Sequence, residues 1–338
     1  MKEALFYKKS DDKNVDCFLC NHFCNIKNGQ VGICGARLNK DGALYSLNYA
    51  QLVAFNIDPI EKKPLFHFFP GTTAYSIASI GCNFKCGFCQ NWQISQAQEA
   101  KELQMKTVSV SAKDLVRQAK SRQCQSISYT YTEPTIYFEF AYDCAVLAKD
   151  KGVYNNFVTN GYISKDALKS ISPYLDAANV DLKSFREEFY HKICKAKLKP
   201  VLETITLMKE LGIWVELTTL VIPGQNDSDS ELFAIAAFIA ALDKNIPWHI
   251  SCFHPSYKFD HRIATALSVL EKAYLIGKEK GLKYVYLGNV HTDYGENTYC
   301  PSCSGMVIER MSFSIKQNHI EGGKCGHCGE AIAGMFSV

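Results

Sequence analysis

Long hydrophobic runs and a strong excess of either charge are both missing from this sequence of 338 residues. No window approaches the roughly 18 uninterrupted apolar residues of a membrane span, so we expect no membrane association. Lysine and arginine number 37 against 34 acidic residues, and a net charge of +3 argues against a dedicated nucleic-acid binder. The opening residues, MKEALFYKKSDDKNVDC, turn polar within seven positions and lack the apolar stretch of a secretory signal. The sequence therefore predicts a cytoplasmic protein.

Cysteine is the residue type that stands out, with 15 copies. Eleven of them fall into three clusters, which are Cys17, Cys20, Cys24 and Cys34; Cys82, Cys86 and Cys89; and Cys300, Cys303, Cys325 and Cys328. Disulfide scaffolds belong to short secreted chains, whereas clustered cysteines in a reducing compartment more often bind metal as thiolates. We therefore predict metal sites at the clusters. The four single cysteines (Cys124, Cys144, Cys194 and Cys252) are interpreted as small buried apolar residues.

Strand-like and helix-like segments alternate through the middle of the chain. Strands are predicted over 74–80, 126–131, 155–160, 178–182, 213–222, 248–253 and 284–288, with helices over 111–122, 135–152, 186–211, 229–243 and 264–280 and after Ser164. This alternation indicates right-handed βαβ units, a parallel sheet and a full or partial βα barrel. We predict an α/β fold with a partial (β/α)6-type barrel over 71–296, a Cys-rich N-terminal segment over 1–70 and a C-terminal module over 297–338.

Three cysteines directly follow the first predicted barrel strand, at the strand end where βα barrels carry their chemistry. Cys82, Cys86 and Cys89 have the spacing C-x3-C-x2-C. An electron-transfer [4Fe–4S] cluster takes four cysteines, so three would leave one iron open to a substrate or cofactor. The alternative is a structural zinc that borrows a distant fourth ligand.

This loop resembles the signature of the radical SAM superfamily. The resemblance implies a [4Fe–4S] cluster that binds S-adenosylmethionine and an oxidoreductase that cleaves it by one-electron reduction. The product would be a 5′-deoxyadenosyl radical, which abstracts a hydrogen atom from a substrate. It also implies a one-electron donor such as flavodoxin or ferredoxin.

Further residues at the predicted strand ends match the same family. The resemblance implies catalytic roles for Cys82, Cys86, Cys89, Asp181 and Lys183, and cofactor-binding roles for Phe88, Thr132, Glu133, Thr159, Asn160 and His254. Each match also has a structural interpretation. Glu133 could cap a helix N-terminus, where a carboxylate is favoured. Asp181 and Lys183 could form a surface ion pair, and His254 could be a core histidine.

Over nearly its whole length the chain resembles the radical SAM proteins of the AmmeMemoRadiSam group, relatives of glycyl-radical-enzyme activases. The resemblance implies Memo-like and AMMECR-like partner proteins. Thr132 stands where the activases have glycine, and Val158 stands where the best-known activase has an acidic residue that helps to hold a cation. Three functions therefore compete: a radical enzyme acting on an unidentified substrate, an activase acting on a partner protein, and a non-enzymatic iron–sulfur electron carrier.

The two outer cysteine clusters predict separate metal sites. Cys300-x2-Cys303 and Cys325-x2-Cys328 have the pattern of a zinc ribbon, with a hairpin predicted at 306–315 between them, although rubredoxin-like iron also suits four sulfurs. Cys17, Cys20, Cys24 and Cys34 lie within 18 residues and suit either zinc or a second iron–sulfur cluster. His22 is an additional candidate ligand there. The sequence favours zinc slightly at this N-terminal site, and both metals stay open.

Overall fold

The computed structural model describes residues 1–96 and 107–336. Its N-terminal part contains seven short strands. They are β1 (Lys2–Glu3), β2 (Tyr7–Lys9), β3 (Val15–Cys17), β4 (Asn25–Ile26), β5 (Arg37–Lys40), β6 (Ala43–Ser46) and β7 (Gln51–Leu52). Two small antiparallel sheets, ordered β1–β6–β5 and β2–β3–β4, hold the first cysteine cluster and pack on the main core.

The next nine strands include the eight that build the central sheet. They are β8 (Ala54–Pro59), β9 (Thr73–Ala78), β10 (Val108–Ser109), β11 (Ser126–Tyr129), β12 (Tyr154–Thr159), β13 (Ala177–Asp181), β14 (Trp214–Val221), β15 (Trp248–Cys252) and β16 (Val285–Gly288). β10 pairs with β7, and the other eight form one sheet in the order β8–β9–β11–β12–β13–β14–β15–β16. Every neighbouring pair is parallel except β8 and β9. In the described part of the chain the edges are β8 and β16, so the barrel is partial.

Helices connect the parallel strands, as the alternating pattern predicts. They are α1 (Trp92–Ser95), α2 (Ala112–Ser121), α3 (Phe138–Asp150), α4 (Lys165–Ile171), α5 (Glu187–Phe189), α6 (Leu198–Glu210), α7 (Asp229–Leu242) and α8 (Leu267–Glu279). Ser111 and Ser164 cap α2 and α4 through their side chains. The predicted α/β fold class is confirmed, and each of the seven predicted strands has an observed counterpart. None of the helices in the two described ranges is long and apolar enough to cross a membrane.

One strand of the central sheet comes from the first 70 residues. β8 pairs antiparallel with β9 from Ala54 opposite Ala78 to Pro59 opposite Thr73. The N-terminal segment and the barrel therefore share a sheet. Just after β8, an apolar cluster fills the end of the barrel where the strands begin; it contains Ile60, Leu65, Phe68, Phe69, Ala74 and Ala177. The opposite, carboxyl ends of the strands are left for the site.

The C-terminal module consists of short strands packed against the barrel. They are β17 (Thr298–Tyr299), β18 (Met306–Met311), β19 (Ser314–Asn318), β20 (Ile320–Glu321) and β21 (Lys324–Cys325). β18 and β19 form the predicted hairpin. Arg310 of β18 is buried and donates hydrogen bonds to the Phe66 carbonyl (2.9 Å) and the Thr298 hydroxyl (2.7 Å). This side chain ties the module to the segment between β8 and β9.

Candidate functional site

The three cysteines of the central loop meet the other strand ends at one cavity. Cys82, Cys86 and Cys89 follow β9, and the cavity beside them measures about 180 Å³. Its lining consists of Cys82, Phe84, Cys86, Phe88, Cys89, Gln90, Ser95, Tyr131, Thr132, Glu133, Val158, Asn160, Lys183 and Leu220. Residues from the ends of β9, β11, β12 and β13 thus converge, as expected for carboxyl ends of parallel strands.

The protein environment alone keeps these three thiols protonated. Burial raises the pKa of Cys82 and of Cys89, and a contact with the Cys194 thiol together with burial raises the pKa of Cys86. Metal ligation requires thiolates, and a bound cation supplies the charge that stabilises them. The three thiols therefore fit a cationic metal cluster. Cys194 lies behind Cys86, outside the lining of the cavity.

Glu133 is fully surrounded by donors at the start of the helical turn Pro134–Tyr137. Its Oε1 accepts hydrogen bonds from the Thr135 amide (3.1 Å), the Thr135 hydroxyl (2.5 Å) and the Thr159 hydroxyl (2.8 Å), and its Oε2 accepts one from the Asn160 amide (2.8 Å). Burial nevertheless raises its pKa. The carboxylate therefore joins the loops after β11 and β12 as well as facing the cavity, and it caps the helical turn that begins at Pro134.

The turn before Glu133 is held in an unusual conformation. Tyr131 has a φ of 62°, and its carbonyl accepts a hydrogen bond from Asn91 (2.8 Å). The Thr132 hydroxyl donates to the Ser79 carbonyl at the end of β9 (2.7 Å). Thr132, which replaces the glycine of the activases, thus fastens this turn to the strand before the cysteine loop. Val158 gives the cavity an apolar side chain where the best-known activase has an acid.

Asn160 connects the turn after β12 with the cysteine loop. Its Nδ2 donates to the Asn83 Oδ1 (2.7 Å) and lies 3.8 Å from the Cys82 Sγ. Gly161 follows with a φ of 70°, and a Cβ added there would lie 2.9 Å from the Val180 Cγ1. The Thr-Asn-Gly sequence therefore suits a tight turn whose backbone packs against β13.

Asp181 and Lys183 form an ion pair of 2.7 Å at the end of β13. The Lys183 side chain is largely buried, lines the cavity and lies 5.7 Å from the centre of the Phe88 ring. Burial alone would lower the pKa of Lys183, but the charge of Asp181 holds it well above its ordinary value. The pair is therefore a feature of the cavity wall.

A second, larger cavity of about 630 Å³ adjoins the first, and Gln90 and Leu220 line both. His254, predicted to lie near a cofactor, lines this larger cavity, and its Nε2 lies 3.3 Å from the Asn289 carbonyl oxygen. Buried His249 also lines it and pairs with Glu216 at 2.7 Å. This pair could not be predicted from the sequence, because each residue alone has the pattern of an ordinary strand position.

Two other contacts of the cysteine loop were not predicted from the sequence. The Cys89 Sγ lies 3.2 Å from the Ser95 hydroxyl of α1, and the amide of Lys85 donates to the carbonyl of Cys194 (2.9 Å). Cys194 had been interpreted as an ordinary buried cysteine. Only the tertiary fold shows that it lies against the central loop.

The C-terminal cysteines form a compact group. Cys300 lies 3.6 Å from Cys328, and Cys303 lies 3.8 Å from Cys325, measured between sulfurs. All four sulfurs lie within 4.8 Å of one another. Burial raises the pKa of Cys300, but hydrogen bonds from the backbone of Cys303 and Ser302 outweigh it and lower that pKa to about 7. The predicted four-cysteine group is therefore present and could hold a metal ion.

The N-terminal cysteines surround a small cavity of their own. Its lining includes all four sulfur-bearing residues of the cluster, Cys17, Cys20, Cys24 and Cys34, together with His22, Arg37 and Asn83. The His22 Nε2 donates to the Asn83 carbonyl (2.7 Å), so this nitrogen is occupied by a hydrogen bond. Burial raises the pKa of each of the four thiols.

Comparisons with known proteins agree with this arrangement. A family model described as the radical SAM superfamily matches residues 76–235. An uncharacterized protein of Methanocaldococcus jannaschii is 47% identical over 335 residues, which cover 98% of this chain and 99% of the relative. A putative glycyl-radical enzyme activating enzyme of the same organism is 28% identical over 62% of this chain and 77% of its own length. Streptococcus suis SuiB, solved with its precursor peptide SuiA, has the same fold with a TM-score of 0.50, 15% identity and coverage of 68% of this chain and 51% of SuiB. Residues 76–235 of this chain are therefore a radical SAM domain.

Proposed function

We propose that this protein cleaves S-adenosylmethionine reductively at a [4Fe–4S] cluster held by Cys82, Cys86 and Cys89. The observation that carries the proposal is the convergence of three cysteines with Glu133 and Lys183 on one cavity. Three thiolates leave one iron of such a cluster available to the cofactor. When bound there, the cluster would supply one electron to the sulfonium of S-adenosylmethionine. Cleavage of the bond between the sulfur and the 5′ carbon would then give methionine and a 5′-deoxyadenosyl radical for hydrogen abstraction.

The residues around the cysteines have roles that follow from their positions. Glu133 offers a carboxylate to the amino group of the cofactor, Phe88 offers a ring to the adenine, and Lys183 offers a cation beside it. Thr132, Thr159 and Asn160 hold the two turns that position Glu133. Asp181 keeps Lys183 charged and oriented.

The larger cavity is our candidate for the substrate site. It adjoins the three-cysteine cavity at Gln90 and Leu220, and His254, His249 and Glu61 give it several polar groups. Its volume of about 630 Å³ lies within the range of small-molecule sites. A radical formed in the smaller cavity would therefore be generated next to the bound substrate.

The test of the proposed function is anaerobic reconstitution followed by reduction with dithionite in the presence of S-adenosylmethionine. We expect 5′-deoxyadenosine from the wild type and none from Cys86→Ala. Cys124→Ala is the matched control, because Cys124 is also buried but lies away from the clusters. Electron paramagnetic resonance of the reduced wild type should change when S-adenosylmethionine is added. An unchanged spectrum together with no 5′-deoxyadenosine would contradict the proposed cleavage and favour a non-enzymatic iron–sulfur electron carrier.

A second candidate function is the activation of a partner protein by formation of a glycyl radical. It is supported by the similarity to the putative activating enzyme of M. jannaschii. Val158 distinguishes this chain from the best-known activase, which has an acidic residue at the matching position. The test is incubation with S-adenosylmethionine and a candidate glycyl radical enzyme, with the doublet of a protein-based glycyl radical as readout. Pull-down with Memo-like and AMMECR-like proteins tests the AmmeMemoRadiSam assignment. Binding to these proteins would favour the first function, a radical enzyme that acts on an unidentified substrate.

We also propose that the C-terminal group holds zinc. A tetrahedral zinc site with Zn–S bonds of about 2.3 Å places its sulfurs about 3.8 Å apart. The observed sulfur separations of 3.6 and 3.8 Å support a single tetrahedral ion, and the two C-x2-C pairs favour zinc. Metal analysis of the purified protein tests the proposal, and iron in place of zinc at this site would contradict it.

A further inference from the structure

The N-terminal cysteines differ in spacing from the C-terminal ones. Within the two described ranges, the C-terminal group is the one set of three or more metal-binding side chains whose ligand atoms all lie within 4.8 Å. Neither the N-terminal nor the central cysteines are as compact. A single zinc draws its thiolates to about 3.8 Å from one another, whereas in a [4Fe–4S] cluster each thiolate binds a different iron. The N-terminal cysteines therefore lack the compact spacing of the C-terminal group.

Two buried donors in the wall of the N-terminal cavity need acceptors. Asn83 and Arg37 are 0% and 2% exposed, and both line the cavity. Among the residues that the structure describes, the Asn83 Nδ2 and the Arg37 Nε have no hydrogen-bond partner. Buried donors are almost always paired in native proteins. An iron–sulfur cluster supplies inorganic sulfides that accept such hydrogen bonds, and zinc supplies no additional acceptor.

The N-terminal cavity shares a wall with the catalytic one. Asn83 lines the N-terminal cavity and directly follows Cys82, and its Oδ1 accepts a hydrogen bond from Asn160 of the catalytic cavity. Thr135 also lines the N-terminal cavity, while its amide and hydroxyl both donate to Glu133. A single layer of residues therefore separates the two sets of cysteines.

The other side of the N-terminal cavity reaches the protein surface. Ile33 lines the cavity and is 45% exposed, and neighbouring Val31 and Phe23 are 43% and 61% exposed. Cys24 is itself partly exposed. An external electron donor can therefore approach the N-terminal cysteines from this side.

We propose that Cys17, Cys20, Cys24 and Cys34 hold a second iron–sulfur cluster that relays single electrons to the central cluster. This replaces the slight preference of the sequence for zinc, and the relay rests on the proposed function of the central site. A reduced flavodoxin or ferredoxin loses one electron and the N-terminal cluster gains it. The N-terminal cluster then returns to its oxidised state as the central cluster is reduced by one electron. No bond is formed or broken and no proton moves in the relay.

The first experiment counts metals and does not depend on catalysis. After anaerobic reconstitution, the triple variant Cys82→Ala/Cys86→Ala/Cys89→Ala should retain iron and acid-labile sulfide in equal amounts. The wild type should contain about one zinc per chain, from the C-terminal site. About two zinc per chain in the wild type, or a folded triple variant without sulfide, would overturn the second cluster. Absence of 5′-deoxyadenosine with both clusters present would instead contradict the proposed function.

The second experiment tests the relay with two reductants. In Cys20→Ser/Cys24→Ser, formation of 5′-deoxyadenosine should be lost with reduced flavodoxin and retained with dithionite, which is small enough to reach the central site directly. Equal rates of the variant and the wild type with flavodoxin would overturn the relay. If the variant does not fold, rapid-freeze electron paramagnetic resonance of the wild type gives the same answer. The signal of the N-terminal cluster must appear before that of the central cluster, and the reverse order would refute the relay.

Discussion

At Glu133, one buried carboxylate accepts four hydrogen bonds from the loops after β11 and β12. The sequence resemblance implies only a contact with the amino group of the cofactor. The structure adds a second task, because Glu133 also fixes the positions of Thr159 and Asn160. A substitution at this residue must therefore affect stability as well as cofactor binding.

We expect Glu133→Gln to lower the free energy of unfolding by about 1–3 kcal/mol. The amide keeps one oxygen for Thr135 and Thr159, but its NH2 group then faces the donor N–H of Asn160, which is left unsatisfied. Affinity for S-adenosylmethionine should fall as well. Urea unfolding and equilibrium binding are the measurements. Glu203→Gln is the control, since that side chain is 65% exposed, and equal stability of the two variants would contradict the role of Glu133.

Gly161 permits a comparison of backbone strain with steric overlap. Gly161 and Gly212 both have positive φ, 70° and 77°, but a Cβ meets no atom within 4 Å at Gly212 and lies 2.9 Å from the Val180 Cγ1 at Gly161. Gly212→Ala should cost roughly 1 kcal/mol from the backbone alone. Gly161→Ala should cost more, and should also weaken cofactor binding by displacing Asn160. Chemical denaturation of both variants is the test. Equal losses of unfolding free energy would show that β13 shifts enough to accommodate the extra methyl group.

Site residues that belong to a local sequence motif could be predicted. Residues whose importance depends on a contact with a residue distant in sequence could not. The three cysteines, Glu133 and Lys183 stand in recognisable local patterns, and the structure brings them to one cavity. Asn83 lies inside the cysteine motif, yet its importance depends on Asn160, 77 positions away. No local spacing encodes such a contact, because it is created by two parallel strands that place their ends side by side.

At the scale of elements, the long alternating segments were predictable and the short pairings were not. β11 and β12 have a clear pattern of buried residues, whereas the contact between 67–69 and the tail consists of a few backbone hydrogen bonds. Phe69 donates to the Met335 carbonyl and Met335 donates to the His67 carbonyl, both at 2.7 Å. A pairing this short involves too few residues to produce a periodic pattern of hydrophobic residues in the sequence. It nevertheless anchors the C-terminal module to the barrel.

His67 makes this anchor sensitive to pH. Its Nδ1 lies 2.6 Å from the Ala333 carbonyl and its Nε2 lies 2.6 Å from the Tyr286 hydroxyl, as expected for a neutral ring that donates from Nδ1 and accepts at Nε2. Burial lowers the pKa of His67 to about 4 from its ordinary value of 6.5. The unfolded chain therefore binds this proton at a higher pH than the folded chain does. Stability must then fall as the pH decreases from 6.5 towards 4.

We expect the protonation of His67 to remove about 3 kcal/mol of stability across this pH range. His67→Gln has no group to titrate at this position, so the difference in unfolding free energy between wild type and variant should shrink as the pH falls from 6.5 to 4. Groups that do not interact with His67 titrate equally in both proteins and cancel in the difference. His261→Gln, at a histidine that is 69% exposed, is the control. A difference that is independent of pH would show that folding does not shift the pKa of His67 and would contradict this prediction.

At the scale of the whole molecule, parts distant in sequence enclose the larger cavity. Glu61 and Lys62 come from the segment after β8, His254 follows β15, and Ser312 and Phe313 belong to the turn of the C-terminal hairpin. The sequence predicted the barrel and the module as separate units, but it could not predict that the module forms a wall of the cavity. That arrangement depends on how Arg310 and His67 dock the module.

The module lines the larger cavity. We therefore expect that loss of the zinc we propose for the module alters this candidate substrate site, while the proposed iron–sulfur clusters remain. Cys300→Ser/Cys303→Ser should lose about one zinc per chain, keep its iron and sulfide, and become sensitive to proteolysis after residue 297. Structural zinc contributes on the order of 10 kcal/mol to the folding of small zinc domains, so this module should not stay folded without it. The variant should still cleave S-adenosylmethionine with dithionite, because none of the described residues of the module lines the three-cysteine cavity. Cys124→Ser controls for loss of a buried thiol. Full zinc content in the double variant would contradict the metal site, and loss of iron together with zinc would show that the module supports the central cluster as well.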